Sequence, residues 1–295
     1  MSFSEYPEFR PLELSDLEAF NRVLKASPPV ISELTFTNLY SWKDVYNPVV
    51  AVRNGFLLVC SDRPPQKKFF IPAGCGNIKP VMEDILKEKN NIFFRVPEEV
   101  KELFKPGDGL RIEPDADNSD YLFKASDLID LPGRKYDGKR NLIKKFKMLY
   151  NYEYLKLDSS HAAECFEFEE EWCSARHCDS AEGLFEERRA VRRMIDHCHE
   201  FGLAAGGIRV EGRICALAIA QRLNSNTLVL HVLKANPTMP GLYQIICREF
   251  LANEAAGYEF VNMEQDLGVE GLRRSKMSYH PVRMIRKYTI SRGEV

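Results

Sequence analysis

The sequence predicts an α/β protein built from two consecutive domains, and three observations carry that prediction. The chain has 295 residues, whereas one domain commonly holds about 100–200. Short β-rich apolar runs alternate with one-sided helical stripes from end to end. The order of those elements also occurs twice.

Ser15 is a suitable N-cap for a helix running to about Ala26, where Pro28 and Pro29 stop it. The stretch TFTNLYSWKDVY predicts a second helix, ending near Asn47 and Pro48. VVAV and FLLVC follow as strands joined at Arg53-Asn54-Gly55, a strong hairpin signal. FFIPAG predicts another strand, residues 79–89 a helix, IFFRV a strand, and the residues after Pro97 a short helix. Strands at LRIEP and DYLFKA complete residues 1–125. Here the order is α-α-β-β-β-α-β-α-β.

Residues 126–150 form a basic connecting segment. After Pro132-Gly133, positions 134–147 hold seven Lys or Arg and one Asp. From 151 to 295 the pattern resumes. NYEYLKLD predicts a strand, and Ser159-Ser160 cap a helix with Ala162, Cys165, Phe166, Trp172 and Cys173 as its apolar positions. The glutamates between Glu164 and Glu171 predict an exposed face on that helix. Val191, Met194, Ile195 and Cys198 mark the next helix by their i, i+3, i+4, i+7 spacing. LAAGGIRV and RICALAIAQ meet at Glu211-Gly212 as a hairpin, and TLVLHVL is apolar enough for a central strand. A helix carrying Leu242, Ile245, Ile246 and Phe250 follows the loop KANPTMPG. FVNMEQD, GLRRSKM and PVRMIRKYTI then predict a strand, a short helix and a last strand. This is the first half's order with one strand added in front, a repeat of topology rather than of sequence.

Composition narrows the function classes. Forty-one Lys and Arg against 43 Asp and Glu leave a net charge of −2, so any attraction to nucleic acid or anionic membrane must come from a local patch. No apolar run approaches the ~18 residues that span a bilayer, and the acidic, polar amino terminus carries no signal-peptide core. Eight cysteines without a C-x-x-C pair predict reduced thiols and a cytoplasmic location. A zinc reading of Cys173, His177 and Cys178 with His197, Cys198 and His199 lacks paired short spacings, so no metal is predicted. Nucleophile-elbow, Walker and dinucleotide patterns are absent.

Three phrases, LPGRKYDGKRNLIKKF, LHVLKANPTMPGLYQ and VNMEQDLGVEGLRRSKMSYHP, resemble the bacterial phosphatidylglycerol lysyltransferase carboxy-terminal domain-like family. That resemblance implies two tandem GNAT-like acyltransferase domains, each a mixed sheet flanked by helices, with the first a degenerate copy. More remotely, the chain resembles Fem-type aminoacyl transferases. The implied reaction moves an activated acyl or aminoacyl group to an amine. No cofactor is implied as tightly bound; charged tRNA and acyl-CoA are the candidate donors, with an amine-bearing acceptor as the other partner. Two alternatives stand beside it: a non-catalytic ligand- or peptide-binding tandem module, and an acetyl-CoA-dependent N-acetyltransferase.

Candidate site residues follow from the residues and the resemblance together. In GNAT enzymes the loop after the fourth strand cradles pyrophosphate on backbone N–H groups. Here it carries a single Gly241 and two prolines, with Lys234 before it and Tyr243 after it. Lys135, Lys139, Arg140 and Asn141 of the basic segment are candidates for donor phosphates. Alternation along FVNMEQD places Asn262, Glu264 and Asp266 on one strand face, with Arg273 and Lys276 on the next helix as partners. Glu264 is the expected base. Tyr279 matches the GNAT tyrosine that protonates the leaving group, and His231 lies on the strand beside the acyl site.

Overall fold

A computed structural model describes residues 3–105, 109–176 and 183–293. The chain divides into two compact units: Met1–Tyr121 with Gln265–Arg273 and Met284–Val295, and Leu122–Glu264 with Arg274–Arg283.

The first unit begins with β1 (Arg10–Pro11), α1 (Leu17–Ala26), α2 (Phe36–Ser41) and α3 (Lys43–Tyr46). Thr35 caps α2 by accepting the Asn38 N–H at 3.1 Å. β2 (Pro48–Arg53), β3 (Phe56–Arg63) and β4 (Gln66–Phe69) form a meander. Its first turn puts Asn54 and Gly55 at φ 50° and 80°, as the hairpin signal requires. α4 (Lys79–Ile85) crosses to β5 (Asn91–Pro97), parallel to β4, and α5 (Glu98–Lys101) leads to β6 (Leu110–Pro114). Leu58, Phe69, Phe93, Val96 and Ile290 lie at the centre of its core.

The second unit contains α6 (Ala125–Asp130), α7 (Asp137–Leu149), β8 (Tyr152–Lys156), α8 (Ala162–Arg176) and α9 (Leu184–Asp196) after β7 (Asp120–Lys124). β9 (Ala204–Val210), β10 (Arg213–Arg222) and β11 (Thr227–Ala235) form its meander, and α10 (Leu242–Glu254) crosses to β12 (Phe260–Asn262), parallel to β11. α11 (Glu270–Met277), β13 (Arg283–Ile285) and β14 (Lys287–Arg292) end the chain.

Two seven-stranded mixed sheets result, ordered β1-β2-β3-β4-β5-β14-β6 and β13-β7-β12-β11-β10-β9-β8. The final strand, read from the sequence as closing the second half, therefore belongs to the first sheet, while β7 belongs to the second. The side chains explain it: Ile290 is buried in the first core, and the Lys287 ammonium meets Glu33 at 2.5 Å and Asp120 at 2.6 Å.

Several local expectations change. The strand read at FFIPAG ends at Phe69, and the one read at FVNMEQD ends at Asn262. Asp158, not Ser159 or Ser160, is the cap before α8. Of the α8 glutamates, Glu169 is buried rather than exposed. Cys60, Cys75, Cys165, Cys198, Cys215 and Cys247 are free thiols, but Cys173 is disulfide-bonded, which corrects the expectation of uniformly reduced cysteines. His177 and Cys178 lie outside the described residues. Among the described residues no helix is long and apolar enough to cross a membrane.

Candidate active site

The second unit's parallel ladder is short. Thr227, Leu228 and Val229 pair with Phe260, Val261 and Asn262, and there the ladder ends although β11 continues to Ala235. The opening lies at the carboxyl ends of two parallel strands, where α/β sheets place ligands. On its other edge β11 pairs with β10, and the register skips His231: Ile219 faces Val232 and Ala220 faces Leu230. A β-bulge thus sits beside the opening and re-aims the side chain it carries.

That side chain meets Glu264. His231 Nδ1 lies 2.7 Å from Glu264 Oε1, with the imidazole 1% exposed and the carboxylate side chain 19% exposed. An ionised carboxylate only accepts, so this bond assigns the proton to Nδ1. Nε2 is buried and has no hydrogen-bond partner among the described residues. His231 as a whole is half-buried while its ring is fully buried, so what solvent reaches there is main chain. Glu264 has φ 58°, a left-handed conformation costing a non-glycine residue about 1–3 kcal/mol. Its N–H donates to Asn262 Oδ1 at 2.8 Å, and Asn262 is fully buried.

This left-handed residue overturns the expected alternation. Asn262, Glu264 and Asp266 do not share a strand face, because the strand stops at Asn262. In the first unit, Asp266 accepts the Tyr121 hydroxyl at 2.5 Å, Arg273 Nε at 2.8 Å and the Gly268 N–H at 2.8 Å. Burial opposes its ionisation, yet these donors hold its carboxyl down to about 2. Arg273 also reaches Asp117 at 2.7 Å, so the pair braces a turn. Lys276 donates to the Met263 carbonyl at 2.6 Å, which ties α11 to the end of β12.

Lys234 and Gly241 do not form the expected phosphate site. The Lys234 ammonium is buried, 2.7 Å from Glu169 and 3.3 Å from Glu187, and sits 4.0 Å from the Trp172 ring centroid. Gly241 starts α10 at φ 93°, and a Cβ there would overlap the Leu142 carbonyl of α7, so the glycine permits helix packing rather than ligand approach. Other loop groups are engaged locally. Thr238 N–H donates to Asn236 Oδ1, Met239 N–H to the Asn236 carbonyl and Leu242 N–H to the Met239 carbonyl. Pro237 and Pro240 have no N–H to offer. Tyr243 is half-buried on the first turn of α10.

The basic segment divides between packing and surface. Arg140 donates to the Leu131 and Gly133 carbonyls and pairs with Asp137. Lys135 lies 3.4 Å from Asp127. Lys139 donates to Ser278 Oγ at 2.6 Å and lies 4.0 Å from the Tyr279 ring centroid, and burial lowers its ammonium below the ordinary lysine range. Asn141, Lys144 and Lys145 are exposed on the outer face of α7. Tyr279 is itself buried, which pushes its hydroxyl well above the usual tyrosine range, and its carbonyl accepts the Tyr136 hydroxyl at 2.8 Å. It therefore packs as a wedge, not as the accessible proton donor expected. Sequence reasoning missed Glu169, Trp172 and Tyr136, whose partners lie far away in the chain.

The first unit carries a second polar cluster with no sequence forewarning. Glu33, Asp120 and Lys287 are fully buried; Arg95 Nε lies 3.1 Å from Glu33 and its Nη1 2.5 Å from Asp115. Ser32 donates to Asp120 through its N–H and hydroxyl, both at 2.9 Å. Burial raises the Glu33 carboxyl, opposed by Lys287.

Two meanders, each feeding a parallel strand through a helix, define a tandem GNAT-like protein. The family model for the C-terminal part of phosphatidylglycerol lysyltransferase matches residues 25–291, and the chain belongs to that family. A conserved protein of unknown function from Bacteroides thetaiotaomicron is 30% identical over 96% of this chain and 98% of its own, with a TM-score of 0.89. L-PGS from Bacillus licheniformis is 16% identical, covering 100% of this chain and 95% of its own at a TM-score of 0.69. FemX is 9% identical over 96% of each chain, at a TM-score of 0.57. No curated protein matches by sequence.

Proposed function

We propose that the second unit transfers an acyl or aminoacyl group from an activated donor to an amine, with Glu264 as the base. The observation that carries this reading is the His231–Glu264 pair, 2.7 Å apart at the mouth of the β11–β12 opening. Glu264 is the member that solvent reaches, and His231 orients it. The amine nitrogen attacks the donor carbonyl carbon as Glu264 takes the amine proton, so a C–N bond forms. The donor C–O or C–S bond then breaks, and that proton returns to the leaving oxygen or sulfur. Main chain at the bulge of β11 is available to polarise the carbonyl oxygen.

Between donors, the reading favours a charged tRNA over acyl-CoA. In the loop from Asn236 to Pro240 the Asn236, Thr238 and Met239 N–H groups are engaged and the two prolines have none, whereas a pyrophosphate needs several free ones. Lys144 and Lys145, exposed on α7, suit a nucleic-acid backbone. Asn141 is exposed on the same helix, and Lys135 is exposed just before it. The family's name supports aminoacyl transfer as the chemistry.

The test is a turnover panel with charged tRNAs and acyl-CoAs, run on the wild type and on Glu264→Gln. A general base contributes about 10²–10⁴ in rate, so the variant should lose that factor with donor affinity retained. Turnover by neither donor class, with one of them bound, would make the protein a binding module and overturn the reading.

A further inference from the structure

We infer that Asn262 is a positioning residue, whose side chain latches the Glu264 backbone so that the carboxylate faces His231. This rests on the reading of Glu264 as the base, but the latch itself is a geometric claim that stands or falls separately. Asn262 occupies the last rung of the parallel ladder, opposite Val229, and is fully buried. Two residues on, Glu264 adopts φ 58°, and the bond from its N–H to Asn262 Oδ1, at 2.8 Å, spans the intervening Met263. Asn and Asp make this i, i+2 turn because their short side chains mimic a backbone carbonyl. Apolar residues cannot.

The first unit shows that the left-handed step belongs to the fold and not to glutamate. There the last parallel rung pairs Phe69 with Phe93, and the residue two positions on, Arg95, has φ 55°. Phe93 offers no acceptor; Arg95 instead lies inside β5, where the pairing with β14 skips between Val96–Tyr288 and Phe93–Ile290, and its side chain meets Glu33 and Asp115. In the second unit the side chain at this step must be left to face the opening, so the backbone is fastened from Asn262. Fastening the main chain in this way leaves the Glu264 carboxylate with His231 as its side-chain anchor among the described residues.

The experiment needs no substrate. In the full chain, labelled with ¹⁵N-histidine, the six histidines give a spectrum in which the bonded Nδ1–H of His231 is a protected downfield resonance, assigned by its loss in His231→Gln. Asn262→Leu should abolish that resonance while the other histidines keep their positions; Asn262→Ala gives the same readout if leucine disturbs the fold. Asn262→Asp keeps the acceptor and should restore it. Persistence of the resonance in the leucine or alanine variant, or its loss in the aspartate variant as well, would overturn the latch. Where a turnover assay exists, Asn262→Ala should cost about 10²-fold in rate and nothing further in a Glu264→Gln background. A purely structural role would add in both backgrounds. Full turnover by Glu264→Gln would instead sink the proposed base and leave the spectroscopic result standing.

Discussion

The two units use one backbone device for opposite ends. In each, three parallel rungs end in a step two residues later with φ near +55°: 55° at Arg95 and 58° at Glu264. In the second unit the step carries a half-buried carboxylate, and the facing strand bulges at His231. In the first it carries a guanidinium between Glu33 and Asp115, and the equivalent of His231 is Ile71. Each unit takes a left-handed step there; in one it presents a carboxylate beside the opening of the sheet, and in the other it ties a guanidinium to two carboxylates.

Breaking the tie should be costly. Lys287→Met leaves the buried Glu33 and Asp120 without their shared cation, a loss of about 3–5 kcal/mol for a buried pair; thermal unfolding of the variant measures it. Gly241→Val forces a β-branched residue to φ 93° against the Leu142 carbonyl. It should lower the melting temperature by several degrees, since about 1 kcal/mol moves a domain by about 2–8 °C. An unchanged melting temperature would return the glycine to a ligand-binding role.

A smaller effect sharpens the contrast at acid pH. The Asp266 carboxyl is held below its ordinary value, down to about 2. Its contribution to stability is therefore present above about pH 4 and is lost as the pH falls through about 2. Asp266→Asn should therefore lower the melting temperature at pH 7 and lose that deficit as the pH falls towards 2, flattening the profile across that window. The mildest effect belongs to the surface: Lys144→Ala with Lys145→Ala should reduce the salt dependence of tRNA binding, each lysine accounting for about 0.7–0.9 in the log–log slope. An unaltered slope would remove α7 from the donor path.

Much of this fold is local chemistry and so legible in the sequence. Asn54-Gly55 and Glu211-Gly212 announce their hairpins because the turns need positive φ. The helical stripes of α9 and α10 bury the residues their spacing names, except that Cys198 lies past the end of α9 and is half-buried. The exchange of β7 and β14 between sheets is not legible, since strand pairing between residues so distant in the chain leaves no local trace. Lys287 stands beside Arg286 at the start of the last strand and carries no local sign of burial, and its partners Glu33 and Asp120 carry no matching signal. At the site, His231 and Glu264 were readable as residues but not as a pair. Strict alternation placed Glu264 beside Asp266, whereas the left-handed turn after Asn262 sends the two carboxylates into different environments.

The central claim is that equivalent backbone positions do different work, and one paired measurement tests it most directly. Glu264→Gln and Arg95→Gln should be compared for single-turnover rate per folded molecule and for melting temperature. The account predicts a rate about 10²–10⁴-fold lower with a nearly unchanged melting temperature for Glu264→Gln, and the reverse pattern for Arg95→Gln. Full single-turnover rate in Glu264→Gln, or a rate loss in Arg95→Gln without loss of stability, would contradict it.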